Sequence, residues 1–95
     1  MTRVAVSGAA GRMGRLVGEA VAAAADLALV AGYDPHGAGE QVAGVTVSAD
    51  PEAIAAAEVV VEFTNPSVVL GNLARWRRLG LHAVVGTSGF DDARL

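Results

Sequence analysis

The feature that most constrains this chain is a glycine-rich turn that separates two different hydrophobic periodicities. Before the turn, residues 3–7 form a short β-branched run that predicts a buried strand. After it, apolar residues recur at the spacing of a helix with one buried face, namely Met13, Leu16, Val17, Ala20, Val21 and Ala24. A strand that runs through such a turn directly into a helix predicts the start of a βαβ unit.

The rest of the chain continues to alternate strands with helices. Further strands are predicted at residues 27–33, 45–48, 59–63 and 82–86, the last of them buried, and helices at 51–57 and 66–79. Asp50 and Asn65 each precede a proline and are predicted helix N-caps, whereas residues 35–44 predict an exposed loop. The alternation predicts an α/β fold with a Rossmann-like, doubly wound parallel sheet, in which the five strands take the order 3-2-1-4-5.

Composition limits the classes of function. A chain of 95 residues, 53% of them hydrophobic, predicts one folded domain. The absence of cysteine excludes disulfides and thiol nucleophiles, and two histidines alone argue against a metal site. A net charge of −3 argues against nucleic acid as a partner. The longest apolar stretch, residues 21–29, contains Asp26 and is too short to span a membrane, so we expect a cytoplasmic protein.

The glycine-rich turn is the strongest candidate for a binding site. Backbone N–H groups converge at a helix N-terminus, and glycines let a pyrophosphate approach them closely. In the predicted strand–turn–helix context, the motif indicates a nucleotide site made by Gly8, Ala9, Ala10, Gly11, Arg12, Met13 and Gly14. The alternative is an ordinary tight turn, because glycines at this spacing are weak evidence by themselves.

Asp34 is the candidate partner of a ribose. It lies twenty residues beyond Gly14, at the end of the second predicted strand, where a carboxylate accepts hydrogen bonds from a ribose diol. The alternative is a turn aspartate preceding Pro35. Arg12 and His36 are candidates to pair with a 2′-phosphate, so the choice between NADH and NADPH stays open.

Two later strand ends face the same crevice if the sheet is parallel. Residues 63–66 and 86–90 offer hydroxyl groups, backbone amides and aromatic surface to the far half of a dinucleotide, although ordinary turn chemistry is the alternative for each. Glu62 is unusual, because a carboxylate inside a buried strand needs a partner that the sequence does not identify. No pair of groups resembles a catalytic dyad, so we assign no catalytic residue.

Three motifs together resemble one family, the N-terminal domain of dihydrodipicolinate reductase. They occupy residues 6–14, 62–66 and 83–90, and the combination of G-R-M-G, F-T-x-P and G-T-[ST]-G-F in this order is specific. The resemblance implies an oxidoreductase of lysine and diaminopimelate biosynthesis that reduces a cyclic dicarboxylate, 4-hydroxy-tetrahydrodipicolinate, with NADH or NADPH. It implies that the glycine turn binds the pyrophosphate and Asp34 the adenosine ribose. The residues that it places beside the nicotinamide are Phe63, Thr64, Gly86, Thr87 and Ser88.

Two residues and the length depart from the family pattern. Ser88 stands where the family usually has threonine, and Glu62 where it usually has aspartate. The resemblance also implies a second domain with a histidine-rich loop and a lysine, which binds substrate and forms a homotetramer. We therefore expect residues 1–95 to be a truncated dinucleotide-binding domain that binds cofactor without turnover. The alternatives are another two-domain dehydrogenase and a nucleotide-sensing or CoA-binding module.

Overall fold

The computed structural model describes residues 1–63 and 66–86. Within them the chain forms β1 (Thr2–Ser7), α1 (Arg12–Ala23), β2 (Leu27–Tyr33), β3 (Gln41–Val42), β4 (Val45–Ser48), a 3₁₀ helix (Pro51–Ala56), β5 (Val59–Glu62), α2 (Pro66–Arg78) and β6 (His82–Val85). These six strands form one sheet in the order β3-β4-β2-β1-β5-β6.

The sheet confirms the predicted α/β, Rossmann-like architecture. Every pairing in it is parallel except that of β3 with β4. The short strand β3 was not predicted. The other five strands lie in the order β4-β2-β1-β5-β6, which is the predicted order 3-2-1-4-5 when they are numbered without β3. The order reverses at β1, which has β2 on one side and β5 on the other, and this reversal creates a crevice at the carboxyl ends of the strands.

Three predicted elements were wrong in detail. Residues 35–44 are not entirely an exposed loop, because Gln41–Val42 pairs with β4 and Val42 is buried. The helix after Asp50 is a 3₁₀ helix, although Asp50 caps it as predicted by accepting the Glu52 N–H at 3.0 Å. The final strand is exposed rather than buried at all four positions. Apolar, β-branched sequence indicated a strand correctly, but it did not indicate that β6 lies at the sheet edge.

The core lies on both faces of the sheet. One cluster joins β1, β2 and β5 to the 3₁₀ helix and α2, and it includes the fully buried Ile54, Val60 and Trp76. The Trp76 ring meets Tyr33 edge-on, with centroids 5.7 Å apart. The opposite cluster contains Val6, Ala9, Val42 and Val47 beneath α1. Together the two clusters fix the strand ends that border the crevice.

The buried face of α1 differs from the predicted one. The residues that the helix buries are Gly14, Gly18 and Val21, whereas Met13, Leu16 and Ala20 are exposed. Leu16 is 55% exposed. The prediction was right for Val21, which is buried, and for Val17, which packs against the core, but it missed Gly14 and Gly18 because glycine has no side chain for an apolar pattern to count.

Candidate functional site

The glycine turn is fixed by the end of the neighbouring strand. Gly8 follows β1 with a positive φ of 83°, a conformation that glycine adopts without steric cost. The N–H groups of Gly8 and Ala9 both donate to the Tyr33 carbonyl, at 2.7 and 3.2 Å. The Gly11 N–H donates to the Gly8 carbonyl at 3.1 Å, which closes the turn before α1 begins.

Gly14 brings the first turn of α1 directly against this loop. A Cβ atom at Gly14 would overlap the Gly8 carbonyl group and the Ala9 Cα, so only glycine fits there. The first amides of a helix have no acceptor within the helix, and in α1 these belong to Arg12, Met13 and Gly14. Gly11, the N-cap, provides no side-chain acceptor, and the first turn holds no acidic residue. The free amides and the positive end of the helix dipole therefore favour an anion at the start of α1.

Asp34 directly follows β2, at the strand end where it was predicted, and it is 9% exposed. Its Oδ2 accepts the Ala10 N–H at 3.1 Å, and its Oδ1 accepts the His36 N–H at 2.9 Å. The carboxylate thus joins the glycine turn to the loop that follows β2. Each oxygen has a further lone pair with which it could accept a ribose hydroxyl.

Arg15 is a residue that sequence reasoning missed. Its Nε donates to the Ala10 carbonyl at 3.1 Å, Nη1 donates to the Gln41 carbonyl at 3.4 Å, and Nη2 forms an ion pair with Glu40. The side chain therefore connects the glycine turn to the segment before β3. No local sequence pattern relates Arg15 to Glu40, which lies 25 residues away, so only the fold reveals this contact.

The far side of the crevice is formed by the ends of β5 and β6. The Phe63 N–H donates to the Ser7 carbonyl at 2.9 Å, and the Gly86 N–H donates to the Glu62 carbonyl at the same distance. A Cβ on Gly86 would lie 2.6 Å from Phe63 Cε1, so the ring rests directly on the Gly86 backbone. The predicted residues Phe63 and Gly86 are thus brought together. Thr64, Thr87 and Ser88, and the predicted cap Asn65, lie outside the described residues.

Other predicted residues remain at the surface. Arg12 is exposed at the start of α1, and His36 is exposed beyond Asp34. In the described part of the chain, no group of three histidine, cysteine, aspartate or glutamate side chains is placed to hold a metal ion. No helix in that part is long and apolar enough to cross a bilayer.

Comparison with known families assigns the chain. A family model described as the N-terminus of dihydrodipicolinate reductase matches residues 2–95. The chain belongs to this family. The 4-hydroxy-tetrahydrodipicolinate reductase of Nocardia farcinica is 47% identical over 93 residues, which cover 98% of this chain and 34% of that enzyme. The enzyme of the same name from Beutenbergia cavernae is 46% identical over 93 residues, with coverage of 98% and 33%.

Solved structures share the fold. A dipicolinate-bound dihydrodipicolinate reductase from Paenisporosarcina sp. TG-14 aligns with a TM-score of 0.74 and 22% identity, over 92% of this chain and 37% of that one. RSP, a Rex-family repressor, also aligns with a TM-score of 0.74, at 13% identity, over 98% of this chain and 55% of that one. At these identities the likeness establishes the fold alone. The chain spans about a third of the length of the curated dihydrodipicolinate reductase relatives, at 34% and 33%.

Proposed function

We propose that this chain is the NAD(P)H-binding domain of a 4-hydroxy-tetrahydrodipicolinate reductase. The observation that carries the proposal is the glycine turn itself, in which the Gly14 backbone packs against the Gly8 carbonyl and the first amides of α1 have neither an acceptor within the helix nor a side-chain cap from Gly11. The glycine turn and the start of α1 suit a diphosphate, because they combine backbone N–H donors, the positive end of a helix dipole and glycines that let a phosphate approach the backbone. Membership of the dihydrodipicolinate reductase family supports the same ligand.

Each half of the dinucleotide has its own residues in this proposal. The loop of residues 8–14 binds the diphosphate, and Asp34 accepts hydrogen bonds from the adenosine ribose on the β2 side. Phe63 and Gly86 lie beside the nicotinamide on the β5 side. The family resemblance implies that Thr64, Thr87 and Ser88 bind the same half of the cofactor. Arg12, exposed at the helix start, pairs with the 2′-phosphate of NADPH, so both cofactors are accepted.

The reaction requires more than these residues supply. Bound NADH or NADPH supplies the hydride, which must be delivered to an acceptor held about 3–3.5 Å away. Binding of the dicarboxylate substrate and donation of the proton then require groups from a second domain. The family resemblance implies such a domain, which also forms a homotetramer. Within the proposal, this chain binds and orients the cofactor, and by itself it does not turn over substrate.

Titration with separate nucleotides tests the proposal. We expect the chain to bind NADH and NADPH saturably, and to bind CoA and AMP at least about tenfold more weakly. A polypeptide that also carries the substrate domain should oxidise either cofactor when 4-hydroxy-tetrahydrodipicolinate is added. Binding without such oxidation would favour the nucleotide-sensing alternative, and preferential binding of CoA would contradict the proposal.

A further inference from the structure

Glu62 is a fully buried carboxylate close to the crevice, with an exposed fraction of 0%. Its Oε2 accepts hydrogen bonds from the Ser7 hydroxyl and the Asn72 side-chain amide, each at 3.0 Å. Its Oε1 accepts the Trp76 indole N–H at 2.5 Å. These three donors are neutral and come from β1 and α2. They satisfy a group whose burial without hydrogen-bond partners would destabilise the fold.

The position of Glu62 relates this network to the site. Glu62 is the last residue of β5 and lies opposite Ser7, the last residue of β1. Ser7 directly precedes the glycine turn, and Glu62 directly precedes Phe63. The Glu62 carbonyl also accepts the Gly86 N–H, and Gly86 supports the Phe63 ring. Glu62 therefore contacts the end of β1 and helix α2 through its side chain, and Gly86, just after β6, through its backbone carbonyl.

Stability alone does not explain a carboxylate at this position. Replacing a buried polar network by apolar groups of similar shape is often neutral or stabilising, so the network is weak evidence of a stabilising role. A fully hydrogen-bonded network does, however, fix the relative positions of the elements that it joins. Here it fixes the end of β5 relative to the glycine turn and α2, and the backbone hydrogen bond from the Gly86 N–H to the Glu62 carbonyl joins the end of β6 to the same point.

We infer that Glu62 is a positioning residue for the nicotinamide half of the dinucleotide. This inference rests on the proposed function. A diphosphate at the glycine turn, with the adenosine half beside Asp34 on β2, leaves the other half to extend across β1 towards β5 and β6. Glu62 acts there through Phe63 and Gly86, and it does not contact the cofactor. Its effect is therefore specific to ligands that possess a nicotinamide.

Substitution by glutamine separates this role from general stability. Glu62→Gln preserves the side-chain shape but replaces one acceptor oxygen with an NH₂ group, which faces either the Asn72 amide or the Trp76 indole N–H. The full chain is titrated with NADH and with ADP-ribose, which lacks the nicotinamide. We expect NADH to bind about tenfold more weakly, and the affinity for ADP-ribose to change by less than about twofold.

Two further variants make the result decisive. Glu58→Gln changes an exposed glutamate just before the opposite end of β5 and should leave both affinities unchanged. If Glu62→Gln does not fold, Asn72→Leu removes one donor while keeping the number and branching of the side-chain heavy atoms, and it should show a smaller selective loss for NADH, about threefold. Equal losses for the two ligands, or no loss for either, would overturn the inference. Failure of the unaltered chain to bind either ligand would instead refute the proposed function, and the inference with it.

Discussion

The two sides of the crevice are held in place by different physical means. On the β2 side, backbone groups meet directly at Gly8 and Gly14, and Asp34 and Arg15 fasten the glycine turn to the loops around it. On the β5 side, the buried carboxylate of Glu62 joins the strand ends, and β6 beyond it is exposed, with Val84 at 55%. The comparison teaches that the geometry of the glycine turn depends on the absence of side chains, whereas the geometry of the β5 end depends on one polar network.

Gly14→Ala should have the largest effect, because it breaks the backbone contact on the β2 side. The new Cβ would overlap the Gly8 carbonyl, which no side-chain rotation can relieve. We expect the free energy of unfolding to fall by about 3 kcal/mol and NADH affinity by about 100-fold. Chemical denaturation and fluorescence titration measure the two quantities.

Gly71→Ala is the matched control for this change. Gly71 lies exposed in α2, where an added Cβ would meet no atom within 4 Å. Alanine there should stabilise the chain by up to about 1 kcal/mol and leave NADH affinity unchanged. Wild-type affinity in Gly14→Ala would show that the contact between loop and helix does not shape the diphosphate site.

Asp34→Asn should have the next largest effect. An amide nitrogen would replace one of the two oxygens that accept the Ala10 and His36 N–H groups, so one of these partly buried hydrogen bonds would be lost. We expect a loss of about 1–3 kcal/mol in the free energy of unfolding and a roughly tenfold loss of NADH affinity. The same denaturation and titration experiments apply.

Asp50→Asn controls for the loss of a backbone acceptor elsewhere. Asp50 accepts the Glu52 N–H at the start of the 3₁₀ helix, and asparagine serves almost equally well as an N-cap. Its effect on stability should be below about 0.5 kcal/mol, with no effect on affinity. If the two variants bind NADH equally well, Asp34 does not act at the ribose.

Arg15→Met should produce the smallest effect. It removes the hydrogen bond to the Ala10 carbonyl and the exposed ion pair with Glu40 while keeping most of the aliphatic chain. We expect a loss of about 0.5–1 kcal/mol in stability and about threefold in NADH affinity. Arg3→Met, which removes the exposed pair with Glu58 just before β5, should change stability similarly but not affinity. An unaltered affinity in Arg15→Met would remove Arg15 from the site.

Local sequence patterns predicted most of the fold. The β1–α1–β2 unit and the strand order followed from hydrophobic periodicity and the right-handed crossover rule, which require no knowledge of side-chain contacts. The buried face of α1 could be predicted only in part, at Val17 and Val21, because Gly14 and Gly18 have no hydrophobic side chain to count. The exposure of β6 depends on its neighbours in the sheet rather than on its own residues.

The candidate site was predictable only in part. The glycine turn and Asp34 follow one another at a spacing that the dinucleotide-binding motif predicts. The partners of Glu62 could not be predicted from spacing, because Ser7 lies 55 residues away and Asn72 and Trp76 lie on a separate helix. The ion pair between Arg15 and Glu40 could not be predicted for the same reason, because the two residues are 25 positions apart. Long-range polar contacts of this kind form only in the packed fold, and no local sequence pattern predicts them.

The most direct test of the central claim is an NMR titration of the backbone amides with NADH. If the first turn of α1 binds the diphosphate, the amide signals of Arg12, Met13 and Gly14 should shift most, and ADP-ribose should shift them equally. Amides near Phe63 and Gly86 should respond to NADH alone. Saturable NADH binding that leaves the Arg12, Met13 and Gly14 signals unmoved would contradict the account.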